Sequence, residues 1–263
     1  MALGLSNIFL PTALLIFFIG GVLGMFADRF AYWFHVSPAL KWRKHCPKCF
    51  TFQAWITFLP ILGYVINRGV CSNCKIKLPM APWITELFSA IMLLSTYVSI
   101  FGFNNPKDFK EYVQFFLLCF ILLCGAILAI SDLVYDELPM HVFVLGLVAC
   151  FLNAYFTDSG QIIRIIFGIL LAAIIMGILV VASDWQWVHG HDLLLGVFVA
   201  AFVGFPVFFV TLALTYIFAV GGGIISWGWR RKPWRGVSSF GPYLFLALIV
   251  QSMLSVLGIL IAG

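Results

Sequence analysis

Residues 115–139 read FFLLCFILLCGAILAISDLVYDELP, an unbroken apolar run from Phe115 to Ile130 that ends at a carboxylate, Asp132. A bilayer core takes about 20 residues of helix to cross, and a span at about residues 113–131 meets that demand without a charge inside it. Working outward, the pattern recurs at about residues 9–33, 83–102, 139–157, 161–182 and 239–262, with a longer apolar run at 193–227. Hydrophobic residues make up 63% of the 263, and charged residues only 10%. A soluble domain carries roughly 25% charged residues. Too little polar surface exists to cover a water-soluble globule, so the expectation is an all-α, polytopic membrane protein surrounded by lipid. The first apolar stretch lacks a basic segment and a small-residue cleavage site before it, and reads as a retained helix rather than a removed signal.

Basic residues set the orientation. The polar loop 35–82 holds Lys41, Arg43, Lys44, Lys48, Arg68, Lys75 and Lys77 and is expected on the cytoplasmic side. The run Arg230–Arg235 reaches the same side only if 193–227 crosses twice. Gly204-Phe205-Pro206 offers the break, because proline cannot continue helical hydrogen bonding. This gives about eight spans with both termini outside; seven is the alternative. The chain divides into a first helix, 1–34, a cytoplasmic loop, 35–82, and a membrane bundle, 83–263. The net charge of +5 sits in loops beside spans, where it reports topology and membrane-lipid contact rather than nucleic acid.

On this count Asp132–Pro139 and Ser183–Asp192 fall at the cytoplasmic face. Ionisable groups at membrane depth are costly and point to function. The bland reading of Asp132 and Asp192 is a helix cap or boundary charge. The functional reading is a dyad. Two close carboxylates share one proton; the ionised member activates water while the protonated member polarises a peptide carbonyl. No GxSxG, HExxH or phosphate-binding lysine motif competes with it.

Seven cysteines occur. Cys119, Cys124 and Cys150 lie singly in apolar runs and read as small core residues. Cys46, Cys49, Cys71 and Cys74 form two CxxC pairs separated by 21 residues, a pattern suited to tetrahedral structural zinc. A reducing cytoplasmic loop disfavours disulfides. His35 and His141 have no ligand partner at useful spacing and read as interfacial, and Gly221–Gly223 reads as helix packing or a kink.

These motifs together resemble the type IV prepilin peptidases. Asp132 followed seven residues later by Pro139 is similar to that family's first aspartate motif, and His189-Gly190-His191-Asp192 occupies the place of its GxGD motif. The two CxxC pairs with Pro60 to Tyr64 between them, Glu86 opening the second span, Phe240-Gly241-Pro242 near the last span, and a glycine-rich first span also match. The resemblance runs in order along nearly the whole chain.

It implies an endopeptidase of the bacterial cytoplasmic membrane with catalytic Asp132 and Asp192. Prepilin or pseudopilin substrates would be cut at the cytoplasmic boundary, supported by Glu86, Pro139, Gly190, Phe240, Gly241 and Pro242. It also implies N-methylation of the new N-terminus with S-adenosylmethionine, for which Glu86 and the cysteine loop are the places to look.

His189 and His191 replace both glycines of GxGD. Gly204 keeps the family's spacing from Asp192, which favours Asp192 over Asp184 as the second acid. The rival readings are a catalytically impaired membrane scaffold that recruits a partner through its zinc loop, and a proton-coupled transporter.

Overall fold

The computed structural model describes residues 2–36, 49, 60–71, 73–77, 80–101, 106–157, 159–182, 189–230 and 241–256. Among these the secondary structure is helical, apart from one isolated antiparallel bridge between Val70 and Lys77. The helices are α1 (Ala2–Val36), α2 (Leu62–Ile66), α3 (Ala81–Phe101), α4 (Phe109–Tyr135), α5 (Met140–Thr157), α6 (Ser159–Ala182), α7 (Gly190–Val203), α8 (Val207–Arg230) and α9 (Gly241–Val256).

Among the described residues five segments are long and apolar enough to cross a membrane: Pro11–His35, Trp83–Phe101, Phe109–Tyr135, Met140–Thr157 and Gly160–Ala182. Shorter apolar helices occupy Gly190–Val203, Val207–Gly222 and Tyr243–Leu254. The apolar run 193–227 divides where proline and glycine require it. Gly204 takes φ +72° and closes α7 with a bond from its N–H to the Ala200 carbonyl; α8 starts after Pro206. The basic residues Arg231–Arg235 lie outside the described residues, as do most of the basic residues of the 35–82 loop.

The outward faces are those of a lipid-embedded bundle. On α6, Ile163, Phe167, Leu170, Ile174, Ile178 and Val181 recur at helical spacing and are 57–71% exposed, while Ile165, Ala172, Met176 and Val180 on the other face are buried. A contiguous exposed apolar stripe of this length is foreign to soluble monomers. In lipid it costs nothing, and packing must come from close shape fit.

Among the described residues backbones approach most closely between α1 and α3, a pair in extensive contact. A Cβ added to Gly20 would lie 2.6 Å from the Ala90 Cα, and one at Gly24 would lie 2.8 Å from the Glu86 Cα. Ala27 and Ala31 continue this small-residue seam, both fully buried. Bare backbone here lets two helices approach as a larger residue could not. At the other end of the chain Gly222 on α8 has the Tyr243 hydroxyl 2.5 Å from where its Cβ would stand, so packing is also the role of that glycine.

Gly24→Val should therefore lower the thermal unfolding midpoint of the purified protein, by an amount corresponding to about 1–3 kcal/mol of overpacking. Gly221→Ala, where nothing lies within 4 Å of the new Cβ, should be neutral or slightly stabilising in the same melt. Equal loss in both variants would contradict the close-packed seam.

Candidate active site

The C-terminal end of α4 is built by the sequence DLVYDELP. Leu133, Val134 and Tyr135 continue the helix, so Asp132 lies in its last turn, inside the span rather than beyond it as the sequence suggested. Asp136 ends α4 in the left-handed conformation, φ 56°, with its N–H donating to the Asp132 carbonyl at 3.3 Å. The Pro139 carbonyl then accepts the N–H groups of Val142 and Phe143 and starts α5. The result is a tight corner that leaves Asp132 1% exposed. Taking an ionised carboxylate that far from water costs several kcal/mol, so its environment has to share a proton with it or offset its charge.

Asp192 is equally buried, at 1%. It is the third residue of α7, and its Oδ2 accepts the backbone N–H of His189 at 2.7 Å, with His189 Nδ1 3.8 Å away. This is capping-box geometry at the positive end of a helix dipole. The capping role anticipated for such an aspartate is present, through this one oxygen. On the α8 side, Tyr216 lies within electrostatic reach of Asp192.

His191 links the two acids' neighbourhoods. Its Nε2 stands 3.8 Å from Asp132 Oδ1 and 3.1 Å from Asp136 Oδ1. The His189 ring stacks parallel to it, with centroids 5.3 Å apart and planes 3° off parallel. The replaced glycines of the sequence motif are thus a pair of stacked imidazoles, of which His191 bridges the start of α7 to the end of α4, two helices that pack together. Gly190, between the rings, is the first residue of α7.

The same end of the bundle holds further polar groups. Glu86 on α3, 3% exposed, accepts the Ile61 N–H at 2.8 Å, and the Trp83 indole N–H donates to the Ile61 carbonyl at 3.1 Å. Ile61 sits at φ 65°, a costly conformation for a β-branched residue, held by both bonds. Asp28 and Glu86 both act electrostatically on Arg29 of α1. His35, read from sequence as interfacial, has Nδ1 3.3 Å from Glu137 Oε2 and stacks on Tyr135 at 4.4 Å. His141 meets the edge of Phe34. No local spacing could have announced these pairs, which join α1 to the α4–α5 corner about a hundred residues later.

Cys49, Cys71 and Cys74 bring their sulfurs within 4.8 Å of one another, with Cys49 and Cys71 Sγ 3.8 Å apart. A disulfide needs about 2.05 Å. Two thiolates on one tetrahedral zinc, each at about 2.3 Å, stand about 3.8 Å apart. The second pair forms a tight knuckle. The Lys75 N–H donates to the Cys71 carbonyl, the Cys71 N–H to the Ile76 carbonyl, and Lys75 takes φ 57° to close the turn. Cys46 lies outside the described residues, as do Phe240 and Asp184. Gly241 and Pro242 open α9.

A family model described as the bacterial peptidase A24 N-terminal domain matches residues 18–100. A prepilin leader peptidase/N-methyltransferase of Pseudomonas aeruginosa is 25% identical over 204 residues, covering 77% of this chain and 68% of the relative. No solved structure matches. Both matches agree with the resemblance to type IV prepilin peptidases, and both support a protease.

Glu86→Ala should leave the Ile61 N–H without its carboxylate, at a cost of about 1–3 kcal/mol. Limited proteolysis within residues 60–80 should then run about tenfold faster, since tenfold corresponds to about 1.4 kcal/mol of easier opening. Glu86→Gln, which keeps an acceptor oxygen, should fall between. An unchanged cleavage rate in the alanine variant would show that Glu86 does not anchor the loop.

Proposed function

Starting from kinship with the type IV prepilin peptidases, we propose that this protein is an intramembrane aspartic endopeptidase that removes the basic leader from type IV prepilins or pseudopilins. The observation that carries the reading is that Asp132 and Asp192, each 1% exposed, sit at adjoining ends of two packed helices, with His191 reaching from one toward the other. The ionised member of the pair takes a proton from water as it attacks the scissile carbonyl. The protonated member donates to the carbonyl oxygen.

Burial raises the cost of two charges close together, and so favours a single shared proton. The acids lie at helix ends, not at mid-helix, which suits a bond at the membrane boundary rather than an ion path. We assign that boundary to the cytoplasmic face of a bacterial inner membrane, where the leader's positive charge would remain. Pro139 and Gly190 support the site by shaping the two helix ends. Phe240, Gly241 and Pro242 are proposed as supporting residues on the motif resemblance.

The cysteine cluster is proposed as a structural zinc site with Cys46 as fourth ligand. The knuckle at Cys71–Lys75 and the 3.8 Å sulfur separation fit a tetrathiolate ion. Zinc there holds residues 35–82 together as a loop unit between the first helix, 1–34, and the bundle, 83–263, and supplies no catalytic chemistry. Methyl transfer from S-adenosylmethionine rests on the relative's name. Glu86 accepts the Ile61 amide and lies within electrostatic reach of Arg29, an arrangement that suits a latch; by the motif resemblance it and the cysteine loop remain the places where that activity would sit.

Purified protein should cleave a prepilin, and Asp132→Asn or Asp192→Asn should each reduce the rate by about 10³-fold or more. Cleavage surviving both changes would refute the dyad, and absence of cleavage by the native chain with every prepilin tried would favour a scaffold. Separately, Cys71→Ser should lose bound zinc by elemental analysis while Cys124→Ser keeps it; full zinc content in the first would refute the tetrathiolate site.

A further inference from the structure

Asp132, Asp136 and His191 each offer one donor atom within 4.8 Å of the others. The His191 Nε2 separations of 3.1 Å to Asp136 and 3.8 Å to Asp132 bracket the distance expected between two ligands of one ion. Tetrahedral ligands at about 2.0–2.1 Å from a metal stand about 3.4 Å apart. The cluster is asymmetric in access. The Asp132 side chain is fully buried, His191 is 23% exposed and Asp136 is 77% exposed, so one wall is fixed while the other opens to solvent. His189 stacks parallel to His191, whose Nε2 faces both carboxylates. One nitrogen and two carboxylate oxygens, with the solvent side left for water, make a donor set that suits borderline divalent ions such as zinc or cobalt.

We propose that Asp132, Asp136 and His191 form a divalent-metal site, distinct from the cysteine cluster, whose occupancy switches the peptidase off. Binding takes His191 as the neutral imidazole, releases any proton it carries, and ties up Asp132 as an ionised ligand. A carboxylate coordinated to a dication can neither hold nor pass the proton that a dyad shares. The inhibitory half of the proposal rests on the aspartate-dyad reading; the binding half does not.

The experiment separates the halves. The full chain, purified in detergent and stripped by chelator, is reloaded with Co²⁺, and metal per chain is counted alongside the absorption spectrum. Thiolate-to-cobalt charge-transfer bands report the cysteine cluster, and cobalt without them reports the nitrogen–oxygen site. The native chain should carry cobalt of the second kind. His191→Asn and Asp136→Asn should each lose it and retain the thiolate-bound ion, whose persistence shows that the fold has survived. A native chain with thiolate-bound cobalt alone, or a second ion undiminished in both variants, overturns the site. In the cleavage assay Zn²⁺ should inhibit the native enzyme, and Asp136→Asn, with inhibition read as the fraction of its own metal-free rate, should need at least about tenfold more. Coincident inhibition curves overturn the switch while leaving peptidase activity intact. Prepilin uncleaved by the native chain refutes the peptidase reading, and with it the switch, while the cobalt count still decides the site.

Discussion

A lipid interior offers no hydrogen-bond partners, so each spanning segment has to satisfy its backbone within its own helix. That constraint leaves polar chemistry to the helix ends, and the architecture follows from it. The last turns of α1 and α4 and the first turns of α3, α5 and α7 meet at one end of the bundle. There, Asp28, Arg29, Glu86, Asp132, Asp136, His189, His191 and Asp192 are gathered within reach of neighbouring elements. The exposed apolar stripe of α6 and the buried small-residue seam of α1 are the counterparts of the same constraint, one facing lipid and one replacing the hydrophobic drive with close contact.

Two anchors fix this polar end. The α1–α3 seam brings Gly24 against Glu86, so the helix that carries Arg29 and the helix that carries Glu86 are set in register by the absence of a Cβ. Glu86 then holds Ile61, between the two CxxC pairs, through a backbone amide. The loop knuckle and the membrane bundle are therefore coupled through one buried carboxylate, and a disturbance of either should be felt by the other.

The helices were legible because their signal is local. A run of apolar residues about 20 long announces itself, and Gly204-Phe205-Pro206 told where a long run must divide. The end of α4 was harder. A carboxylate after an apolar run reads as a boundary, yet Leu133, Val134 and Tyr135 carry one more turn before Asp136 enters the left-handed region, and Asp132 is enclosed. What lay beyond sequence reading is non-local. The histidines of HGHD read as lost glycines, and only the packing of α7 on α4 turns His191 into a bridge to Asp132 and Asp136. His35 meets Glu137 for the same reason. The CxxC spacing was readable because it is local, and the second pair closes its own turn; the meeting of Cys49 with Cys71 and Cys74 is not local.

The central claim is that Asp132 and Asp192 act as one unit, and non-additivity measures that directly. Prepilin cleavage rates for Asp132→Asn, Asp192→Asn and the doubly substituted chain form a double-mutant cycle. Acids that share a single proton-transfer task predict a double variant no slower than the slower single variant. Losses that multiply would mean that the two carboxylates act independently, and would contradict the account.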